Sequence, residues 1–244
     1  MQRVESKVQL VQHTPEPEQL IASSARLCYA SETAGILEPD ADAGKFVAML
    51  RRLGHLSPLE HASYTFLVEG VSRAMTHQLV RHRLASYSQR SQRYVAHGDF
   101  DYICPPQLAG KTVTDENGQA VDAETYFGET MEMIGQRYRR LVEAMGDEGE
   151  ATNQDARYVL PNACETKIFV TMNARELLHF FEERLCMRAQ WEIRGVADAM
   201  LSAARPTAPA VFKNAGPKCV RLGYCPEGAK TCGRLDAMRR RYGS

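Results

Sequence analysis

Several familiar nucleotide signatures are missing from this 244-residue sequence, which contains no Gly-x-Gly anywhere and no Walker A loop. The first absence argues against a Rossmann dinucleotide fold and the second against a P-loop. No apolar run approaches the ~20 residues that span a bilayer. The opening MQRVESKVQL lacks the apolar stretch of a secretory signal, so a cytoplasmic protein without membrane attachment is expected. Lysine is scarce, seven residues against 23 arginines, in a chain whose formal net charge is zero. Mean hydropathy is −0.38, with 44% hydrophobic and 25% charged residues. These values exclude a disordered chain and a globally basic nucleic-acid coat.

The most informative absence is local. From Gly70 to Gly98 there is no Asp or Glu, while the window holds Arg73, Arg81, Arg83, Arg90 and Arg93 and three of the seven histidines. A neutral chain that concentrates about five positive charges in one segment is built to meet a compact anion. Arginine presents a rigid fork of donors to phosphate or to the edge of a planar heterocycle.

Around that segment the pattern predicts a strand at 7–12, helices at about 17–29 and 45–53, a turn at 54–61 and a strand at 63–68. A helix capped by Ser72 follows over 73–82, and 113–120 reads as a surface turn or hairpin. The clearest helix is 123–145, where Phe127, Met131, Ile134, Tyr138, Leu141 and Met145 form an apolar seam for core or subunit interface. A strand at 167–172 precedes Asn173-Ala-Arg-Glu176, which has capping-box form and opens a helix to about Met187. Another helix covers 191–204. This order favours an α+β fold, one domain over residues 1–212 with a mixed sheet flanked by helices, then a Cys/Gly/Pro-containing tail over 213–244.

Arg81-His-Arg-Leu-Ala-Ser-Tyr-Ser-Gln-Arg-Ser-Gln-Arg93-Tyr94 is the main chemical feature. A lone Arg-His-Arg is most simply a solvated helix end, but this whole run is built of donors and suits phosphates with a base or a flavin ring. A nucleic-acid-binding loop has a similar composition. On the helix after Asn173, Arg175, His179 and Glu182 lie opposite the apolar stripe. Arg184 sits at the stripe's edge, where position alone favours a side chain snorkelling to solvent. No metal is expected. His55 and Glu60-His61 have Pro58 inside an H-x4-E-H spacing, and Cys219, Cys225 and Cys232 follow a C-x5-C-x6-C spacing without a tight knuckle.

Taken together, these residues resemble the flavin-dependent thymidylate synthases. Arg81-His82-Arg83, Ser86, Ser91, Arg93 and Tyr94 match that family's Arg-His-Arg and Ser-x-Arg-Tyr signature. Gly54-His-Leu-Ser-Pro-Leu-Glu-His61, Ala156-Arg-Tyr-Val-Leu-Pro161, Asn173-Ala-Arg175 and Ala189-Gln-Trp-Glu-Ile193 are similar to four further blocks in the same order. The resemblance implies reductive methylation of dUMP to dTMP, with methylenetetrahydrofolate as carbon donor and NADPH-reduced FAD as hydride source. It also implies a homotetramer with active sites shared between subunits. Carried over, Ser57, Arg81, His82, Arg83, Gln89, Asn173, Arg175 and His179 would contact FAD. Gln78, Arg81, Gln89, Arg90, Ser91, Gln92, Arg93, Arg157 and Arg184 would hold dUMP, with Arg184 the catalytic residue. His55 and Tyr94 would lie on the folate side. Gln89 replaces a common Glu and His179 an Asn; both replacements can still hydrogen-bond. A nucleic-acid-binding module and a flavin- and folate-dependent methylation of uracil in RNA are the competing readings.

Overall fold

Alternating burial builds the main strands. In the computed structural model, which describes residues 1–243, β1 (Lys7–His13) leads to α1 (Pro17–Leu27) and α2 (Ala43–Leu53). Gly54, with φ of 79°, ends α2 in the left-handed conformation that glycine adopts without a steric penalty. β2 (Ser63–Ser72) buries Tyr64, Phe66 and Val68 on one face. It continues into α3 (Arg73–Leu79), where the Ser72 hydroxyl accepts from the Met75 N–H at 3.0 Å as the cap expected of it. α3 stops at Leu79, three residues before the expected end, and β3 (Ala85–Gln89) forms within the Ser/Gln/Arg run.

The hairpin anticipated near 113–120 is β4 (Thr112–Thr114) paired antiparallel with β5 (Ala120–Asp122). α4 (Ala123–Ala144) follows, its first turn capped by the Asp122 carboxylate at 2.9 Å from the Thr125 N–H. Then come α5 (Glu150–Ala156), β6 (Glu165–Asn173), α6 (Ala174–Arg184) and α7 (Trp191–Ala204). Gln190 caps α7 through its side-chain oxygen, 3.0 Å from the N–H groups of both Glu192 and Ile193. The C-terminal stretch carries α8 (Pro209–Phe212), α9 (Lys218–Leu222) and α10 (Leu235–Tyr242).

The sheet order is β1-β2-β6-β3. Its pairing corrects the mixed sheet expected from sequence, because the sheet is antiparallel. Ser63 lies opposite Thr14 and Gly70 opposite Glu5, so numbers fall on one strand as they rise on the other. Likewise Thr65 meets Thr171 at 2.9 Å, and the Gly70 N–H meets the Glu165 carboxylate at 3.1 Å. Periodicity gives strand faces but not strand direction, and direction here depends on long-range partners. Gly70 is required where it stands, with φ of 63° and the Glu5 carbonyl oxygen only 2.1 Å from where a Cβ would be.

Contacts divide the described residues into two units. The first comprises 1–7, 68–78 and 88–168, with a core of Phe100, Met131 and Cys164 against which Phe127 and Ile134 of α4 pack. The α4 seam is therefore core at Met131 and Tyr138, whereas Leu141 and Met145 remain exposed. The second unit comprises 8–67, 79–87 and the chain from Phe169 onward. Its core carries an aromatic chain from Tyr64 through Phe212 and Phe181 to Phe180. Among the described residues no helix is long and apolar enough to cross a membrane.

Candidate active site

The second unit contains a groove of about 1730 Å³. That exceeds the ~300–1,000 Å³ typical of small-ligand pockets and leaves room for a dinucleotide-sized guest. Nine arginine or lysine side chains line it against four glutamates. The turn after α3, the N-terminus of α6 and the inner side of α6 meet there. They bring together Arg81, His82, Arg83, Asn173, Arg175, His179 and Arg184 from positions separated by a hundred residues.

Local chemistry fixes each of these groups. The Tyr87 hydroxyl in β3 reaches the carbonyls of Leu79 and His82, 2.8 Å from each, and so pins the turn that carries Arg-His-Arg. Arg81 and Arg83 have no side-chain partner within the described chain, which leaves two guanidinium groups free to take phosphate oxygens. Asn173 caps α6 by accepting from the Glu176 N–H at 2.8 Å. Arg175 pairs with Glu60 at 2.5 Å, joining α6 to the 54–61 turn. That turn is a short 3-10 helix over Ser57–His61; its Gly54, Leu56 and Glu60 line the groove, whereas His55 and Ser57 do not.

Glu176 corrects the capping-box expectation. Its carboxylate does not fold back on the N-cap but lies buried, 3.3 Å from Nδ1 of the buried His82. On the other side of the imidazole, Arg184 Nε donates to His82 Nε2 at 3.0 Å. The three side chains form a line from carboxylate through imidazole to guanidinium. Arg184 is thus anchored through Nε, and snorkelling, the reading favoured by its position, does not describe it. Its two Nη groups make no hydrogen bond in the described chain and remain available at the groove.

Burial, followed by the charges of Arg184 and His179, pulls the His82 imidazole down to about 4 from its ordinary 6.5. It is therefore neutral at pH 7, with Nδ1–H directed at Glu176 and a lone pair on Nε2 for Arg184. Burial raises the Glu176 carboxyl. The sign for His82 is that of a depressed base. Its stabilising contribution is complete above pH 6.5, falls as the unfolded chain takes up the proton, and is lost by about pH 4. The depression corresponds to about 3 kcal/mol at full effect. Chemical denaturation between pH 7 and pH 4 should show this loss, and His82→Gln should flatten that part of the profile.

The remaining sequence-derived candidates belong to the first unit and are not among the groove's lining residues. Arg90 pairs with Glu165 at 2.6 Å and Arg93 with Glu150 at 2.6 Å. Gln89 donates to the hydroxyls of Thr76 and Thr166 at 3.0 and 3.2 Å. Gln92 lies 3.8 Å from the Cys164 sulfur, and Arg157 Nε donates to the Gln154 carbonyl at 3.1 Å. The Ser91 hydroxyl accepts from the Arg93 N–H at 3.1 Å, and the exposed Tyr94 ring lies under the Arg93 guanidinium. Gln78, at the end of α3, also lies in this unit. Sequence reasoning missed Glu176, Tyr87 and the groove cations Arg51, Arg52 and Arg221. For Glu176 the only local signal was its place in the Asn-x-x-Glu motif.

Known proteins resemble this chain in sequence and in fold. The family model described as thymidylate synthase complementing protein matches residues 9–210. The flavin-dependent thymidylate synthase of Nitratidesulfovibrio vulgaris is 50% identical, over 96% of this chain and 97% of its own. That of Clostridium tetani is 48% identical, over 97% and 96%. Among solved structures, a UMP/dUMP methylase, PolB, from Streptomyces cacaoi, bound with 5-Br dUMP, superposes with a TM-score of 0.69 at 26% identity. It covers 86% of this chain and 95% of its own. The Helicobacter pylori flavin-dependent thymidylate synthase complexed with FAD and dUMP shares the fold, with a TM-score of 0.64 at 22% identity over 86% and 99%. A family-model match over residues 9–210 and relatives about half identical over nearly the whole length show that this chain belongs to the flavin-dependent thymidylate synthase family.

Proposed function

We propose that the groove holds FAD and the uracil end of dUMP, and that Arg184 is the residue that activates the pyrimidine. The enzyme converts dUMP to dTMP, with methylenetetrahydrofolate and NADPH as co-substrates. The observation that carries the site assignment is the Glu176–His82–Arg184 line, which fixes one guanidinium while leaving both its Nη groups uncommitted. The groove fits FAD in volume and in charge, because Arg81 and Arg83 offer unpaired guanidinium groups to a pyrophosphate. Arg175 and His179 line the same wall, and Asn173 opens the helix that carries them. When bound, FAD reduced by NADPH supplies the hydride.

Methyl transfer to C5 requires an electron-rich uracil ring. A guanidinium ~4 Å from a developing charge on the N3/O4 edge is worth about 4 kcal/mol at an effective dielectric near 20. That equals roughly three pKa units at N3. Arginine stays protonated at neutral pH, so Arg184 acts by charge and not as a base. Cysteine chemistry is not needed in this scheme. The groove's lining residues include no cysteine.

Gln78, Gln89, Arg90, Ser91, Gln92, Arg93 and Arg157 are assigned to dUMP, and His55 and Tyr94 to the folate side. None lines the groove of the single chain, which favours a site completed by other copies in a homotetramer. Seven free thiols favour a cytoplasmic setting. The test is to purify the full chain, supply FAD, and remove excess by gel filtration. Flavin absorbance should co-elute with the protein and dUMP should perturb it; a protein that takes up no FAD at any concentration tested would overturn the assignment.

A further inference from the structure

Four of the seven cysteines converge past the C-terminal end of α6. Cys186 lies two residues beyond Arg184, Cys219 sits in α9, and Cys225 and Cys232 flank the turn between α9 and α10. All four line one cavity of about 230 Å³, and all four are free thiols. Cys219 is within electrostatic reach of the other three. Three of them share the tail, and Cys186, next to α6, joins them from upstream.

A further observation points to a ligand. Cysteine binds metal as the thiolate, and no residue of the stretch from Lys218 to Ala237 is buried. It is strapped down by ion pairs, Arg188–Glu227 at 2.5 Å together with Lys218–Glu183 and Arg221–Glu182. A segment with no apolar core of its own is the kind of element that a structural metal staples.

We propose that Cys186, Cys219, Cys225 and Cys232 bind one zinc ion in a tetrahedral, all-thiolate structural site. Four sulfurs leave no open position for substrate, which is the pattern of a structural centre. Each thiol gives up its proton to solvent on binding, and Arg184, Arg188 and Lys218 share the cavity wall with Glu182, Glu183 and Glu227. The ligand atoms already gathered within 4.8 Å are those of His82, Glu176 and His179, which belong to the groove described above. The four sulfurs share one cavity without all lying within 4.8 Å of one another, so binding the ion draws them together.

The experiment is metal analysis of the full chain purified in reductant without chelator, alongside cobalt loading of the metal-stripped protein. About one zinc per chain is expected, together with the sulfur-to-metal and tetrahedral d–d bands of a cobalt thiolate centre. Cys219→Ser and Cys225→Ser should lose the zinc and the cobalt spectrum, and Cys28→Ser, at the exposed end of α1, should keep both. Absence of zinc with no cobalt thiolate spectrum in the unaltered chain overturns the proposal. So does iron in place of zinc, a mass showing disulfides among these four cysteines, or equal metal loss in Cys28→Ser. If the serine variants fail to fold, the cobalt titration of the unaltered chain decides alone.

Discussion

Arg184→Ala should lower dTMP formation by about three orders of magnitude, the loss expected when about 4 kcal/mol of charge stabilisation is removed. The same variant should still bind FAD, because Arg81 and Arg83, two of the groove's unpaired cations, are untouched. Arg184→Lys should recover little. An ammonium has no second nitrogen to hold His82 Nε2 while presenting two more donors to the pyrimidine, whereas the guanidinium does both. Full turnover in the alanine variant, measured with saturating dUMP and methylenetetrahydrofolate, would remove Arg184 from the mechanism. Loss of flavin together with activity would reassign it to cofactor binding.

The double variant Arg81→Glu/Arg83→Glu should weaken FAD by about a hundredfold. A charged hydrogen bond to phosphate contributes roughly 1.5–3 kcal/mol, and about 3 kcal/mol in total corresponds to two powers of ten. Folding should be unaffected, because neither guanidinium bonds to another side chain or carbonyl in the described chain. Fluorescence titration with FAD reads the dissociation constant, and a parallel melt reads stability. Reversal without weakening would show that the phosphates lie elsewhere in the groove. A collapse of stability would show that the two arginines hold the turn instead of the ligand.

What could be read from sequence was whatever depends on near neighbours. The pattern predicts a helix over 191–204, and α7 occupies Trp191–Ala204, because its apolar spacing and the following Pro206 are local signals. The Ser72 and Asn173 caps act within three residues and were legible for the same reason. Partners that arrive from a distance were not. The acid-free window 70–98 suggested a bare cluster of cations, yet Arg90 and Arg93 are neutralised by Glu165 and Glu150. Arg73, Arg81 and Arg83 have no hydrogen-bonded or ion-paired side-chain partner in the described chain, and of these three Arg81 and Arg83 line the groove. Periodicity puts Arg184 on the edge of a helix stripe, and only the 102-residue closure to His82 shows why it is held there. Glu176 looked like half of a cap because its main-chain N–H is one; its carboxylate had a different partner. The four cysteines follow the same logic, since three share a tail and the fourth adjoins a helix in the body of the fold.

The central claim is tested most directly by one assay of the purified chain with dUMP, FAD, NADPH and methylenetetrahydrofolate, followed by direct detection of dTMP. The expected result is dTMP that requires every component, with NADPH consumed only when dUMP is present. Formation of no dTMP by a flavin-loaded protein, or methylation of uracil in RNA with dUMP left unchanged, would contradict it.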